Sequence, residues 1–149
     1  MKKFIFSILV FGFLFVLSVS NVFACSCLLI EDKSLEEQVR DEYTKATGVI
    51  SGEVLEVTKE PDTFWVKVKF KVENTWKKKF SREVTIKTAS DGATCGYAFE
   101  VGKKYLVYVY DRQNTLETNI CTRTSLLKSN KDITVLNKIK KRKVKFAPK

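Results

Sequence analysis

Apolar residues run along this chain in three rhythms, and each predicts a different element. The first is unbroken. Phe4 to Val19 is apolar almost throughout, after Lys2 and Lys3 and before Ser20-Asn21 and Val22-Phe23-Ala24. A short positive region, an apolar run and small or aliphatic residues before a cut form the pattern of an export signal, removed after Ala24. A retained anchor is the alternative, but the 16-residue run falls short of the about 20 residues a spanning helix needs. The second rhythm is helical. Ser34 with Glu37 three places on makes a capping box, and Leu35, Val39 and then Tyr43 or Ala46 recur at helical spacing. That predicts a helix over Glu31–Lys45 with one narrow apolar face. Asn130 is placed to cap a second helix over Lys131–Lys143, with Ile133, Leu136 and Ile139 on one side.

The third rhythm is alternation. Thr47–Lys59 carries Val49, Ile50, Val54, Leu55 and Val57, interrupted by Gly48 and Gly52. Glycines inside a strand pattern predict bulges or bends, the device that curls a sheet into a barrel. After a turn at Pro61-Asp62, Phe64, Val66, Val68, Phe70 and Val72 alternate with Trp65, Lys67, Lys69 and Lys71. This reads as a half-buried strand with a basic outer face. Trp76 and Lys77-Lys78-Lys79 form a loop or hinge before a strand over Arg82–Thr88. A loop through Ala89–Ala93 then delivers Cys95-Gly96. Gly102 turns the chain into a strand over Lys104–Tyr110, Asp111–Thr115 is a polar turn, and a last strand over Glu117–Thr124 holds Cys121. About five strands with glycine bends fit a small Greek-key barrel better than a sandwich.

Composition sharpens the address and the partners. The 27 basic and 17 acidic residues give +10, and the leader removes two lysines and no acid, leaving +8 on a single-domain mature chain. Such a charge suits anionic partners, an envelope polymer or a membrane surface among them, and also serves solubility alone. All four cysteines, Cys25, Cys27, Cys95 and Cys121, lie beyond the cut. An even count in an exported domain implies disulfides, and four cysteines allow three pairings. Cys25 and Cys27 are too close in sequence to pair easily with each other, so each reaches one of the distant two. A zinc site built from all four competes with this reading, against a spacing without CxxC knuckles. Val22-Phe23-Ala24-Cys25 also partly matches a lipobox, which would make Cys25 a lipidated N-terminus and the chain a lipoprotein. Phe23 and the apolar Leu28-Leu29-Ile30 fit that poorly, so a free, secreted terminus is the expectation.

In order, Cys25-Ser26-Cys27, a helix, barrel-type strands, Thr94-Cys95-Gly96, Gly102-Lys103-Lys104-Tyr105-Leu106-Val107 and Cys121-Thr122-Arg123-Thr124 resemble the netrin-like domain. More narrowly they are similar to the N-terminal inhibitory domain of the tissue inhibitors of metalloproteinases and its bacterial relatives. The likeness covers roughly Cys25 to Leu127, within a domain over 25–128 followed by a basic helical tail over 129–149. It implies an OB-type five-stranded barrel with packed helices, Cys25 paired with Cys95, and Cys27 with Cys121. The animal inhibitors carry a third disulfide here and a further domain, and this chain has neither. The implied activity is inhibition of a zinc metalloprotease. The amine and carbonyl of a mature Cys25 would chelate the target's zinc, with Ser26 and Leu28 at its specificity pocket.

Several classes are disfavoured. The chain has no histidine, which removes histidine acid–base chemistry and ligation, and it carries no phosphate loop or nucleophile elbow. Neither an enzyme nor a resident metal or cofactor is expected. Lys67, Lys69, Lys71 and Trp65 could stack and pair along a nucleic acid, but the export signal argues against that partner. Two readings remain: a secreted inhibitor acting through Cys25, and a non-inhibitory envelope module whose basic faces hold anionic polymer, lipid or protein.

Overall fold

The computed structural model describes residues 25–27 and 32–145. The leader, Leu28 and the first position of the first predicted helix lie outside the described residues. Helix α1, Leu35–Lys45, starts after its cap Ser34, later than the predicted Glu31, because the Ser34–Glu37 box fixes the first turn and leaves Asp32 and Lys33 outside it. The Glu37 N–H donates to Ser34 Oγ at 3.3 Å and the Ser34 N–H to Glu37 Oε2 at 2.9 Å. Its far end is held by a cation. Lys77 Nζ donates to the Tyr43 and Thr44 carbonyls, both at 2.8 Å, where the helix dipole is negative.

The strands are β1 (Gly48–Lys59), β2 (Trp65–Lys77), β3 (Glu83–Ala89), β4 (Lys104–Arg112), β5 (Thr115–Glu117) and β6 (Ser125–Leu126). Pairing runs β1-β2-β3-β5-β4, and β4 returns to pair with β1, which closes a five-stranded ring. The β3–β5 pair is parallel and the others antiparallel. The short β6 adds to β4 at Tyr105 and Leu106. This is the Greek-key, OB-type barrel. Gly52 lets it curl: a Cβ there would lie 2.5 Å from the Lys71 carbonyl oxygen, and the β1–β2 register slips between Ser51 and Gly52.

Two cores share the barrel wall. Ile50, Val54, Val68, Phe70, Ile86, Phe99, Tyr105, Val107 and Val109 fill the interior. Outside, Val49, Leu106 and Tyr108 pack against Val39, Tyr43 and Ala46 from α1 and its C-cap, and against Val135, Leu136 and Ile139. The last three come from helix α2, Asp132–Lys145. β4 therefore reads as one continuous apolar run because both its faces are covered. Each such side chain contributes about 1.5–3 kcal/mol when fully buried. The first turn of α2 is tied by Asn130, whose Oδ1 accepts the Asp132 N–H at 2.8 Å.

Three sequence expectations need correction. Trp76 and Lys77 are not a hinge but the end of β2. Trp76 packs on the outer core and its Nε1–H donates to Asn137 Oδ1 at 2.8 Å. The polar turn over 111–115 shrinks to Gln113-Asn114, whose φ angles of 50° and 63° suit a two-residue hairpin. The last strand does not contain Cys121, because residues 118–124 form a loop between β5 and β6. Thr118, Thr122 and Thr124 hydroxyls bond one another there at 2.8–3.2 Å, and Asn119 Oδ1 accepts the Cys121 N–H at 2.9 Å. Short polar side chains that satisfy their own backbone take it out of the ladder.

Candidate functional site at the cysteine tip

Residues 25–27 carry no regular structure; Ser26 is exposed and its two cysteine neighbours are half-buried. Cys25 is bonded to Cys95 and Cys27 to Cys121, with Cα separations of 5.2 and 5.1 Å. These are the pairs that the netrin-like resemblance implies. With both neighbours anchored, the Ser26 side chain is held outward on a short bridge.

The receiving loops are braced independently of sulfur. Asp91 Oδ1 accepts the Thr94 N–H at 3.0 Å, capping the tight turn Gly92–Thr94. That bond, with Thr94 Oγ1 and Ser90 Oγ, holds the Asp91 carboxyl below the usual carboxylate range. The next residue, Cys95, takes a left-handed conformation at φ 65°, which costs about 1–2 kcal/mol outside glycine. Gly96 follows where a Cβ would sit 2.0 Å from the Ala89 carbonyl oxygen. Only glycine fits that crossing. The Ile120 N–H donates to the Cys95 carbonyl at 3.1 Å, so the loops carrying Cys95 and Cys121 are stitched together directly.

A charged clamp fixes the second loop to the helices. Arg123 holds Asp132 through Nε and Nη2, both at 2.7 Å, and reaches Gln38 of α1 through Nη1 at 2.8 Å. Tyr108 adds its hydroxyl to Asp132 at 3.0 Å. Burial, then the Asp132 charge, pushes the Tyr108 hydroxyl well above its usual range, while Asp132 keeps Arg123 more firmly charged. Between the Cys121 loop and the two helices lies a cleft of about 660 Å³, lined among others by Cys27, Gln38, Ile120, Arg123 and Lys131.

Residues that sequence reasoning passed over complete this end of the molecule. Ser90 donates its N–H to the Phe64 carbonyl at 2.8 Å, which sets the β1–β2 hairpin beside the Cys95 loop. Phe64 is 54% exposed and Ile120 40%, and Gly92, Ala93 and Thr94 are also open to solvent. Their signal in the sequence is adjacency to Cys95 and Cys121, and for Phe64 a strand-face aromatic at a turn. Ser26 is exposed between the two bonded cysteines. Leu28 lies outside the described residues.

The basic face of β2 is different from its reading in sequence. Lys67 pairs with Glu60 at 2.7 Å, Lys69 with Glu83 at 2.6 Å and, nearby, Lys104 with Glu73 at 2.6 Å. Lys71 of the same face is exposed, and further positive charge lies on Lys138, Lys141 and Arg142 of α2, where Lys138 and Arg142 act on the Glu36 carboxylate of α1, and on Lys78 and Lys79 of the β2–β3 turn. Lys140 donates to the Thr75 carbonyl at 2.8 Å, which draws that turn and α2 together.

No family model and no curated protein matches this chain. Two disulfides fit an extracellular or envelope address, and no helix among the described residues is long and apolar enough to cross a membrane.

Proposed function

We propose that this chain is an exported member of the netrin-like family that inhibits zinc metalloproteases with its mature N-terminus. The observation that carries the reading is the tip itself. An exposed Ser26 sits between two disulfide-bonded cysteines, beside a braced and solvent-open Gly92–Thr94 turn. Cleavage after Ala24 gives Cys25 a free α-amine next to its own carbonyl, a five-membered chelate for the open position of a catalytic zinc in the target. An α-amine with a reference pKa of about 7.7–8.0 is partly neutral near pH 7 and able to donate its lone pair. The bridges lower the ordering cost of binding because the tip is already fixed. Ser26 faces the target's specificity pocket. Its small size accepts several pocket shapes, so inhibition is broad.

A second reading is favoured by the charge distribution. Lys67 and Lys69 of β2 are offset by Glu60 and Glu83, whereas Lys71 and the cations of α2 and of the β2–β3 turn, drawn together by the Lys140–Thr75 bond, leave positive charge exposed. On this reading the chain is an envelope module, with or without a lipid on Cys25, that binds anionic polymer, lipid or an acidic protein.

One added residue separates the two. Mature chain starting at Cys25, and the same chain with one alanine ahead of Cys25, are assayed against a panel of zinc metalloproteases and for retention on anionic vesicles. Inhibition by the first and its loss in the second supports the inhibitor. Equal retention of both on vesicles with no inhibition by either supports the envelope module.

A further inference from the structure

Helix α2 has two unlike faces. Val135, Leu136 and Ile139 are buried in the outer core, whereas Asn137, Lys138, Lys140, Lys141 and Arg142 are exposed. Residues three and four apart are neighbours on a helix, so Lys138, Lys141 and Arg142 share one stripe. Two bonds lay this helix against the end of β2. Lys140 Nζ donates to the Thr75 carbonyl and Trp76 Nε1–H to Asn137 Oδ1, both at 2.8 Å. Lys78, with φ 58°, then turns the chain, and Lys78, Lys79 and Arg82 are all exposed. Cations from two segments distant in sequence are thus drawn to one side of the molecule.

Acids there are few. Residues 77–82 contain none, and the one acid of α2, Asp132, is held by Arg123 in the first turn. Glu36 of α1 acts on Lys138 and Arg142, but Arg40 already bonds it at 2.6 Å. Glu83, next to Arg82, pairs with Lys69 at 2.6 Å.

We propose, on the footing of the envelope-module reading, that this face binds a flexible phosphodiester polymer of the cell envelope. Charge sets the sign of the ligand, and two further observations set its kind. The apolar side of α2 is taken up by the outer core, and none of the large exposed apolar residues among the described residues lies on α2 or in the 78–82 turn. A helix that lies in a membrane interface needs its apolar side free. The cations are also mostly lysines, point charges on flexible stems that can follow phosphates at uneven spacing, whereas the rigid fork of arginine suits fixed bidentate contacts. A solvated string of phosphates fits both features. Neutralising it releases counterions, so binding weakens as salt rises.

The test measures binding of the mature, disulfide-bonded chain to poly(glycerol phosphate) of defined length by calorimetry at several salt concentrations. Anionic phospholipid vesicles at equal accessible phosphate are the second probe. The parent should bind the polymer more tightly than the vesicles. Lys78→Gln with Lys79→Gln, and Lys138→Gln with Lys141→Gln, should each flatten the plot of log affinity against log salt by about 1.4, at about 0.7 for each charge removed. All four together should flatten it by about 2.8. Lys71, exposed but cross-strand from Glu53 and Glu83, is the control, and Lys71→Gln should leave the slope nearly as it is. The two paired variants lie on different elements, so one that fails to fold leaves the other to decide.

Polymer binding whose slope is the same in parent and fourfold variant overturns the proposal and leaves the envelope reading standing. So does an effect of Lys71→Gln as large per charge, or tighter binding to vesicles than to polymer. Binding of the parent to neither probe overturns both.

Discussion

The two sides of this barrel are held by different forces. On the helix side, α1 and α2 cover β1 and β4 with a dry layer in which Val39, Leu106, Tyr108 and Leu136 are almost wholly buried. At the cysteine end, residues 90–95 and 118–124 have little apolar cover and are fixed by two disulfides, threonine and asparagine hydrogen bonds, and the Arg123–Asp132 clamp. Apolar burial is non-directional and stabilises the whole, whereas covalent and hydrogen bonds fix particular atoms. The comparison teaches that stability and tip geometry are separable here. A change on one side should leave the property of the other largely intact.

The largest test of that separation removes the longer bridge. Cys27→Ser with Cys121→Ser opens a loop of sequence separation 94, and should lower unfolding free energy by about 4 kcal/mol in urea titration. Inhibition should be lost even where the variant is fully folded. Leu136→Ala should cost about 3 kcal/mol by leaving a cavity in the outer core. In this case inhibitory potency should persist below the lowered melting temperature. Loss of potency in a folded Leu136→Ala variant would break the comparison.

Arg123→Ala probes a device that spans both sides. It leaves Asp132, with 5% of its side chain exposed, without its cation, at a cost of about 2 kcal/mol. Potency should fall along with stability, and an unchanged potency would assign the clamp to the helix side alone. The smallest effect belongs to Glu60. Lys67 and then Lys87 hold its carboxyl below the ordinary value of 4.5. A depressed carboxylate contributes stability above its unfolded pKa that is lost as pH falls through the folded one. Glu60→Gln should therefore slightly lower stability at neutral pH and flatten its loss below pH 4.5, so that variant and parent converge in acid in urea titrations at each pH.

Local rules make much of the fold legible. The Ser34–Glu37 box, the alternation through Val68 and Phe70 and the bend at Gly52 each follow from residues within a few places of one another. Trp76 escapes those rules because its neighbours Thr75 and Lys77 pair with Ile50 and Val49 of β1, and its indole N–H finds Asn137, 61 positions away. Threonines 118, 122 and 124 have strand propensity, but their hydroxyls find each other across the loop instead. The cysteine spacing marks the tip, yet Phe64 and Ile120 become part of it only through tertiary neighbours. The lysine row of β2 looks bare in one dimension, since the acids that offset it, Glu60 and Glu83, arrive from the β1–β2 turn and β3.

The bridges also impose a timetable on a chain that emerges N-terminus first. Cys25 and Cys27 appear early and must wait across separations of 70 and 94 residues for their partners. Cys95 arrives before Cys121, so both waiting thiols meet it first, and correct sorting depends on how soon strands β1 to β4 close on one another. Ring closure by non-local pairing is slow relative to helix formation, which leaves a window for the wrong bond. An oxidising catalyst able to exchange disulfides would shorten that window, whereas a purely oxidising one would trap mispaired chains within it.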